Sequence, residues 1–146
     1  KNPMGTVVTL HVPILQVKEA RTGETVGYGA SYSLSRDSRL AIVGHGYADG
    51  FFRSLSGTNT RPGGKVAIGG KLCPVIGRVS MDQCVVDITE LGANIPNPGE
   101  GAEILGPNIS VDDQADAAGT IGYEVLTSLK GRYNRNYVGD GNLPPE

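Results

Sequence analysis

Several residue types that build common functional sites are scarce in this 146-residue chain. Two histidines, His11 and His45, and two cysteines, Cys73 and Cys84, are too few for a disulfide scaffold or for the usual zinc-type sites. Lys and Arg (13) do not outnumber Asp and Glu (15), and this balance argues against a nucleic-acid-binding surface. No apolar run is long enough to span a membrane, and residues 1–5 do not resemble a signal peptide. We therefore expect no metal site, no nucleic-acid partner, no membrane span and a reducing, cytoplasmic location.

Glycine, in contrast, is abundant, and apolar residues are numerous enough for a packed core. The chain has 22 glycines without a regular period, and 38% of its residues are hydrophobic. Aperiodic glycines indicate tight turns between short strands rather than a fibre. The length fits one domain.

Short strand-like runs alternate with turn signals over most of the chain. The paired glycines at 69–70 separate two such runs and predict a hairpin. Many short strands at this spacing indicate a barrel or a sandwich. Strands are predicted at residues 6–12, 14–18, 25–34, 39–44, 65–68, 72–76, 84–88 and 102–105.

The last third of the chain changes character. Ser110 is placed to cap a helix that Gly119 ends, and Thr120 is placed to cap a second helix over residues 121–129. Residues 132–138 alternate polar and bulky side chains, which predicts one more strand before a loose tail. The predicted fold is mainly β, a barrel-like domain of short strands with one or two short helices near the C-terminus.

Tyr28 is the first candidate for chemistry because it stands between Gly27 and Gly29, which allow an unusual turn and a close approach by a ligand. A tyrosine phenol is protonated at neutral pH, so a catalytic base of this type needs a cation, a hydrogen bond or a proton acceptor nearby. The residues next to it in sequence supply none of these. The alternative is a core or turn tyrosine whose hydroxyl is bonded locally.

Two further polar segments follow strands. Tyr47 and Asp49 lie in a Gly-bounded turn, where Asp49 is expected to organise the loop, and Arg53 faces a ligand anion, a carboxylate or solvent. The polar break at residues 78–83 fits a loop that lines a site, and the backbone amide of Met81 could bind a carboxylate there.

Tyr123 lies near the start of the second predicted helix, where backbone amides favour anions such as phosphate. The alternative is an ordinary amphipathic-helix residue. His45, a lone histidine at a strand end, is expected to be structural.

In combination, four ordered motifs resemble the C-terminal domain of alanine racemases along nearly the whole chain. They are VGYGASY at residues 26–32, GYADGFFR at 46–53, GRVSMDQ at 77–83 and GYEVLTSL at 122–129. The resemblance implies a subunit in which an N-terminal (β/α) barrel carries pyridoxal phosphate on a lysine and a β-domain follows. It also implies a head-to-tail homodimer that interconverts L- and D-alanine and supplies D-alanine for bacterial peptidoglycan precursors.

The resemblance assigns Tyr28 as the catalytic tyrosine, which reaches into the active site of the partner subunit. There it removes or returns the α-proton of alanine on the face opposite to the barrel lysine. Racemisation needs a base on each face, so neither group suffices alone.

The other roles are carried over in the same way. Met81 matches the residue whose amide contacts the substrate carboxylate, and Tyr47 matches a substrate-contacting tyrosine of the entryway. Arg53 and Arg78 match entryway arginines farther out. Tyr123 matches a tyrosine that bonds the cofactor phosphate of its own subunit.

One departure from the family is large. Residues 1–146 cover the C-terminal β-domain without the N-terminal barrel, and none of the lysines matches the family's cofactor-lysine motif; these are Lys1, Lys18, Lys65, Lys71 and Lys130. The isolated chain is therefore expected to be inactive. Ser80 stands where the family often has cysteine, which is expected to alter packing only.

Three alternatives remain open at this point. One is a racemase of broader specificity that acts on serine or lysine. The second is a stand-alone β module whose Gly-Tyr loops bind a partner without catalysis, and the third is a structural domain with packed tyrosines.

Overall fold

The structure, a computed structural model, describes residues 5–139 and contains a closed antiparallel barrel of six strands. The strands are β1 (Leu10–Ala20), β2 (Thr25–Val26), β3 (Tyr32–Ser33), β4 (Ser38–Val43), β5 (Lys65–Ile68), β6 (Lys71–Ile76), β7 (Cys84–Asp87) and β8 (Gly101–Leu105). The barrel order is β1-β4-β7-β6-β5-β8, and β2 and β3 form a separate hairpin. Two short helices follow, α1 (Val111–Ala118) and α2 (Gly122–Ser128). The predicted fold class is confirmed.

The barrel closes because β-branched and aliphatic side chains fill its interior. Ile14, Val43, Val66, Val75 and Val86 are all buried in one continuous cluster, each at 1% exposure or less. Burying a side chain of this kind stabilises a fold by about 1.5–3 kcal/mol. A smaller cluster beneath the β2–β3 hairpin attaches that hairpin to the barrel wall; its members are Ala20, Val26, Leu34, Leu40 and Ile76.

The two strands predicted on either side of Pro13 are one strand, so the predicted break is wrong. Pro13 is the last residue of β1 that pairs with β8, opposite Gly101, and the pairing with β4 begins at Ile14. The Pro13 carbonyl still accepts a hydrogen bond from the Gly44 amide at 2.9 Å. A proline is tolerated here because it lies where β1 exchanges one neighbour for the other, with a register shift just beyond.

The predicted strand at residues 25–34 is interrupted by a 3-10 helix, Tyr28–Ala30. Gly27 (φ 81°), Gly29 (φ 70°) and Ala30 (φ 49°) all adopt the left-handed region, which no β-strand accommodates. The interruption moves Tyr28 from a strand to the tip of a turn.

Helix α1 begins and ends as the sequence predicts. Ser110 Oγ accepts a hydrogen bond from the Asp113 amide at 3.1 Å, and Gly119 ends the helix in the left-handed conformation (φ 74°). Within the described residues, no helix has the length and the apolar composition needed to cross a bilayer.

The cap predicted for α2 is wrong. Ile121 occupies the N-cap position without a side-chain hydrogen bond, and the Thr120 hydroxyl instead donates to Glu124 at 2.8 Å. Residues 132–138 form no strand, which corrects the last predicted strand. The opening residues 1–4 and most of the tail predicted as loose, residues 140–146, lie outside the described residues.

Candidate active-site surface

Two of the motif-bearing loops leave the barrel at the same end. Val43, the last residue of β4, pairs with Cys84, the first residue of β7, and β6 ends beside them at Ile76. Neighbouring strands are antiparallel, so the end of one strand adjoins the start of the next. The loop after β4 and the loop that joins β6 to β7 therefore meet above this end of the barrel.

These two loops are joined by their backbones. The Tyr47 amide donates to the Ser80 carbonyl at 3.0 Å, and the Ala48 amide donates to the Met81 carbonyl at 2.9 Å. A Cβ atom on Gly46 would lie 2.4 Å from both of those carbonyl oxygens, so the contact requires glycine at this position. The geometry fixes Tyr47 beside Met81.

Asp49 organises the Tyr47 turn, as the sequence predicts. Its Oδ2 accepts a hydrogen bond from the Gly46 amide at 3.1 Å, which closes the turn from within. This use of the carboxylate explains why an aspartate is placed in the loop.

His45 is structural, in agreement with the prediction. The imidazole is buried, with the Phe51 ring 5.2 Å and the Tyr133 ring 6.1 Å away between centroids. Burial lowers the pKa of His45 to about 4, and the nearby Asp49 opposes that shift only in part. The ring is neutral at physiological pH and belongs to the packed layer of side chains beneath the Tyr47 loop.

The turn that carries Tyr28 packs against the Gly77-Arg78 backbone. A Cβ on Gly27 would lie 2.6 Å from the Arg78 amide nitrogen, and the Arg78 guanidinium lies against Gly29, 3.4 Å from the equivalent Cβ position. The Tyr28 residue is 74% exposed, so the alternative of a core tyrosine is wrong.

One open pocket of about 450 Å³ brings five of the six predicted site residues together. Tyr28, Tyr47, Arg53, Arg78 and Met81 all line it. Tyr47 and Met81 are 45% and 51% exposed, so their side chains are available to a ligand or to another protein surface. Residues up to 53 positions apart in sequence thus converge on one surface.

The pocket favours anions. Within residues 5–139, neither Arg53 nor Arg78 forms an ion pair, whereas Asp82, the pocket's one carboxylate, is paired with Arg132 at 3.0 Å. Two guanidinium groups without a carboxylate partner attract a carboxylate or a phosphate. Among the described residues the Met81 amide also donates no hydrogen bond, which leaves one directional donor at the same place.

Tyr123 lies outside this pocket. It is the second residue of α2 and is 80% exposed, while Val125 on the same helix is buried in the core. The end of α2 is attached to the Tyr47 loop, because the Ser128 hydroxyl lies 3.1 Å from the Gly50 carbonyl.

Sequence reasoning missed two cations at this surface. Lys18, on β1, lines a smaller pocket of about 350 Å³ that shares Tyr28 and Arg78 with the first. Arg132 bridges Asp49 and Asp82 from 83 and 50 residues away. No local pattern marks either residue, since only the folded chain brings them here. Among residues 5–139, no cluster of three or more His, Cys, Asp or Glu side chains could hold a metal ion.

The family model described as "Alanine racemase, C-terminal domain" matches residues 7–137. The chain belongs to this family. It is 47% identical to the biosynthetic alanine racemase of Agrobacterium fabrum over 143 residues, which cover 94% of this chain and 37% of that protein. It is 46% identical to the alanine racemase of Rhizobium meliloti, covering 94% and 38% of the two chains.

Solved alanine racemases share the fold. The Bartonella henselae enzyme superposes with a TM-score of 0.82 at 36% identity, over 89% of this chain and 34% of that one. The Pseudomonas aeruginosa biosynthetic enzyme gives 0.80 at 37% identity, over 90% and 35%. The chain thus spans little more than a third of the length of these alanine racemases.

The Bartonella structure is described with covalently bound pyridoxal phosphate. The pocket residues of this domain fit one side of such a group, because phenols and guanidiniums can bond a phosphate or a carboxylate. They do not fit its covalent attachment, since no lysine lines the pocket that holds Tyr28, Tyr47 and Met81. Any covalent site must come from a part of the protein other than this pocket.

Proposed function

We propose that this chain is the C-terminal domain of a pyridoxal-phosphate-dependent alanine racemase and that it supplies Tyr28 to the active site of a partner subunit. The observation that carries the proposal is the convergence of Tyr28, Tyr47, Arg53, Arg78 and Met81 on one exposed pocket in a chain of this family.

The chemistry assigned to Tyr28 is proton transfer at Cα. Pyridoxal phosphate, when bound, supplies an electron sink that makes the α-hydrogen of an amino acid acidic. The Tyr28 phenolate takes this proton on one face and becomes the phenol, or the phenol returns a proton to that face, and a lysine from the N-terminal barrel acts on the other. The turn around Gly27 and Gly29 holds the phenol outward, clear of its own domain, where another protein surface can meet it.

The remaining pocket residues hold the substrate in place. The Met81 amide binds the alanine carboxylate, and Tyr47 forms the adjoining wall. Arg53 and Arg78 raise the local concentration of the anionic end of the substrate along the entryway. Tyr123 bonds the cofactor phosphate in the active site of its own subunit.

The proposal requires two partners: the N-terminal barrel of the same protein and a second subunit. The pocket that holds Tyr28, Tyr47 and Met81 contains no lysine, and the proposal takes the cofactor lysine from the N-terminal barrel, so the chain alone is expected to be inactive. The cellular role assigned to the enzyme is the supply of D-alanine for peptidoglycan in the bacterial cytoplasm. The two buried, unpaired cysteines, Cys73 and Cys84, agree with a reducing compartment.

A chimera tests the proposal. The segment of the Agrobacterium fabrum racemase that matches this chain is replaced by the chain, and conversion of L- to D-alanine is measured with added pyridoxal phosphate. We expect activity in the chimera and none in the chain alone. Tyr28→Phe should lower kcat by about 10²- to 10⁴-fold. Tyr137→Phe, which alters another exposed tyrosine outside the pocket, is the matched control and should leave kcat unchanged.

Other outcomes would replace the proposal. Equal rates on alanine and on serine or lysine would indicate a racemase of broad specificity. A chimera that folds and binds the cofactor without racemising any of these would favour a binding module. Full activity in Tyr28→Phe would assign the domain a structural role.

A further inference from the structure

A single guanidinium group bridges the two loops that hold Tyr47 and Met81. Arg132 Nη1 lies 3.2 Å from Asp49 Oδ1 and 3.0 Å from Asp82 Oδ1. Asp49 is two residues after Tyr47, and Asp82 directly follows Met81. The bridge therefore joins the two substrate-facing loops through a third segment of the chain.

The segment that carries Arg132 is anchored by its neighbour. The Tyr133 hydroxyl donates a hydrogen bond to the Asp49 carbonyl, and the Tyr133 ring packs against the barrel core. The same hydroxyl lies 3.4 Å from His45 Nδ1. Arg132 thus extends from a segment that Tyr133 anchors to the barrel.

The two ends of the bridge differ in their surroundings. The Asp49 side chain is 13% exposed and its other oxygen already holds the Gly46 amide, so this end is fixed by the fold. The Asp82 side chain is 67% exposed and lines the pocket. Arg132 is its ion-pair partner among the described residues, so at its exposed end the bridge reinforces the backbone hydrogen bonds from Tyr47 and Ala48 that join the Met81 loop to the Tyr47 loop.

Removing the bridge would also change the charge of the pocket. Asp82 would then stand as an uncompensated carboxylate beside Arg53 and Arg78. A free carboxylate there repels an anionic ligand and offsets the attraction of one arginine. Exposed ion pairs contribute little to the stability of a fold, so the loss should appear in binding rather than in unfolding.

We propose that Arg132 is a positioning residue for the substrate pocket, which holds the Met81 loop against the Tyr47 loop and neutralises Asp82. This inference rests on the proposed function for its kinetic consequence. Its structural consequence can be measured on the chain itself.

The kinetic test uses the racemase chimera. In Arg132→Met, KM for alanine should rise about tenfold, with a smaller change in kcat, because the groups that hold the carboxylate are displaced. Arg132→Lys should recover part of the loss. Adding Asp82→Asn to Arg132→Met should recover part of it as well, since the uncompensated charge is then gone. Arg135→Met alters an exposed arginine whose guanidinium donates to the Leu129 carbonyl at 3.2 Å, outside the pocket, and is the matched control.

Two kinetic outcomes would overturn the proposal. One is an unchanged KM in Arg132→Met. The other is an equal rise in Arg135→Met, which would indicate a general effect of surface charge.

The structural test uses methionine methyl NMR on this chain, which has only two methionines, Met4 and Met81. Arg132→Met would add a third signal, so Arg132→Gln is used here. We expect the Met81 methyl resonance to shift in Arg132→Gln and to stay in place in the matched control Arg135→Gln. Asp82→Asn removes the exposed end of the bridge and gives a second, milder variant should the first fail to fold. Unchanged Met81 resonances in the folded variants would overturn the positioning role of Arg132. This result can be read even if the chimera proves inactive and the proposed function fails.

Discussion

Gly27 packs so closely against the backbone of Arg78 that a Cβ at position 27 would lie 2.6 Å from the Arg78 amide nitrogen. The contact attaches the turn that carries Tyr28 to the loop that carries Arg78 and Met81. Gly27 also has a φ of 81°, so this position requires glycine both for its backbone angle and for its lack of a Cβ atom.

The Gly27–Arg78 contact can be tested against a glycine that has the same kind of backbone angle and no neighbour. Gly23 has a φ of 86°, and nothing lies within 4 Å of its Cβ position. Gly23→Ala should therefore lower the free energy of unfolding by about 1–2 kcal/mol, the cost of the left-handed angle alone. Gly27→Ala should cost more in chemical denaturation and should also lower racemisation by the chimera. Equal losses of stability would mean that the backbone contact is unimportant.

Arg53 and Arg61 lie in the same loop after β4, and we expect Arg53 to bind the substrate and Arg61 to stabilise the fold. Arg53 has no ion-pair partner among the described residues, whereas Arg61 Nη2 donates to the Ser54 and Ser56 carbonyls at 2.8 and 3.1 Å. Arg53→Gln should raise KM while the free energy of unfolding changes by about 0.5 kcal/mol or less. Arg61→Gln should instead lower the free energy of unfolding by about 1 kcal/mol or more. The reverse pattern in denaturation and kinetics would contradict the assignment of Arg53 to the pocket.

The buried His45 predicts a loss of stability in mild acid. Burial lowers its pKa from 6.5 to about 4, and the raising effect of Asp49 is smaller. Between these values the unfolded chain binds a proton that the folded chain does not. The free energy of unfolding therefore falls as the pH drops from about 6.5 to 4, by up to about 3 kcal/mol.

The check is urea denaturation of the wild type and of His45→Asn across that pH range. The carboxyl of Asp113, whose pKa is lowered from 3.8 by its hydrogen bonds to Ser110, loses its stabilisation mainly below this pH range, and it does so in both proteins. The difference between the two slopes isolates the imidazole. Parallel slopes would show that His45 does not titrate as its burial requires.

Ser110 and Thr120 precede the two helices, and we expect their hydroxyl groups to contribute differently to the free energy of unfolding. The Ser110 hydroxyl accepts a hydrogen bond from the Asp113 amide, so Ser110→Ala should lower the free energy of unfolding by about 1 kcal/mol. The Thr120 hydroxyl donates to the exposed Glu124 side chain, and Thr120→Ala should cost less than about 0.5 kcal/mol. Thermal unfolding of the two variants provides the comparison, and a larger effect at Thr120 would reverse it.

Much of the fold follows from local pattern. The hairpin at Gly69-Gly70 and the helix between Ser110 and Gly119 are set by backbone angles and caps that depend on neighbouring residues. At Pro13 and Thr120 the same reasoning gave wrong predictions. Whether a proline breaks a strand depends on which neighbour lies opposite, and whether a threonine caps a helix depends on where the chain turns.

The site divides in a similar way. The motifs around Tyr28, Tyr47 and Met81 are recognisable in the sequence because each is a short, uninterrupted run of residues. Their convergence, and the exposure of Tyr28, come from strand register and from contacts between distant backbones.

A mainly β domain and its resemblance to alanine racemases follow from the amino-acid sequence alone, because hydrophobic periodicity, turn residues and ordered motifs are properties of adjacent residues. The projection of Tyr28 from a turn, the place of Pro13 within one strand and the bridge from Arg132 to Asp49 and Asp82 depend on the folded chain. These are relations between residues far apart in the chain. They arise when barrel closure fixes the positions of the loops, and no local pattern encodes them.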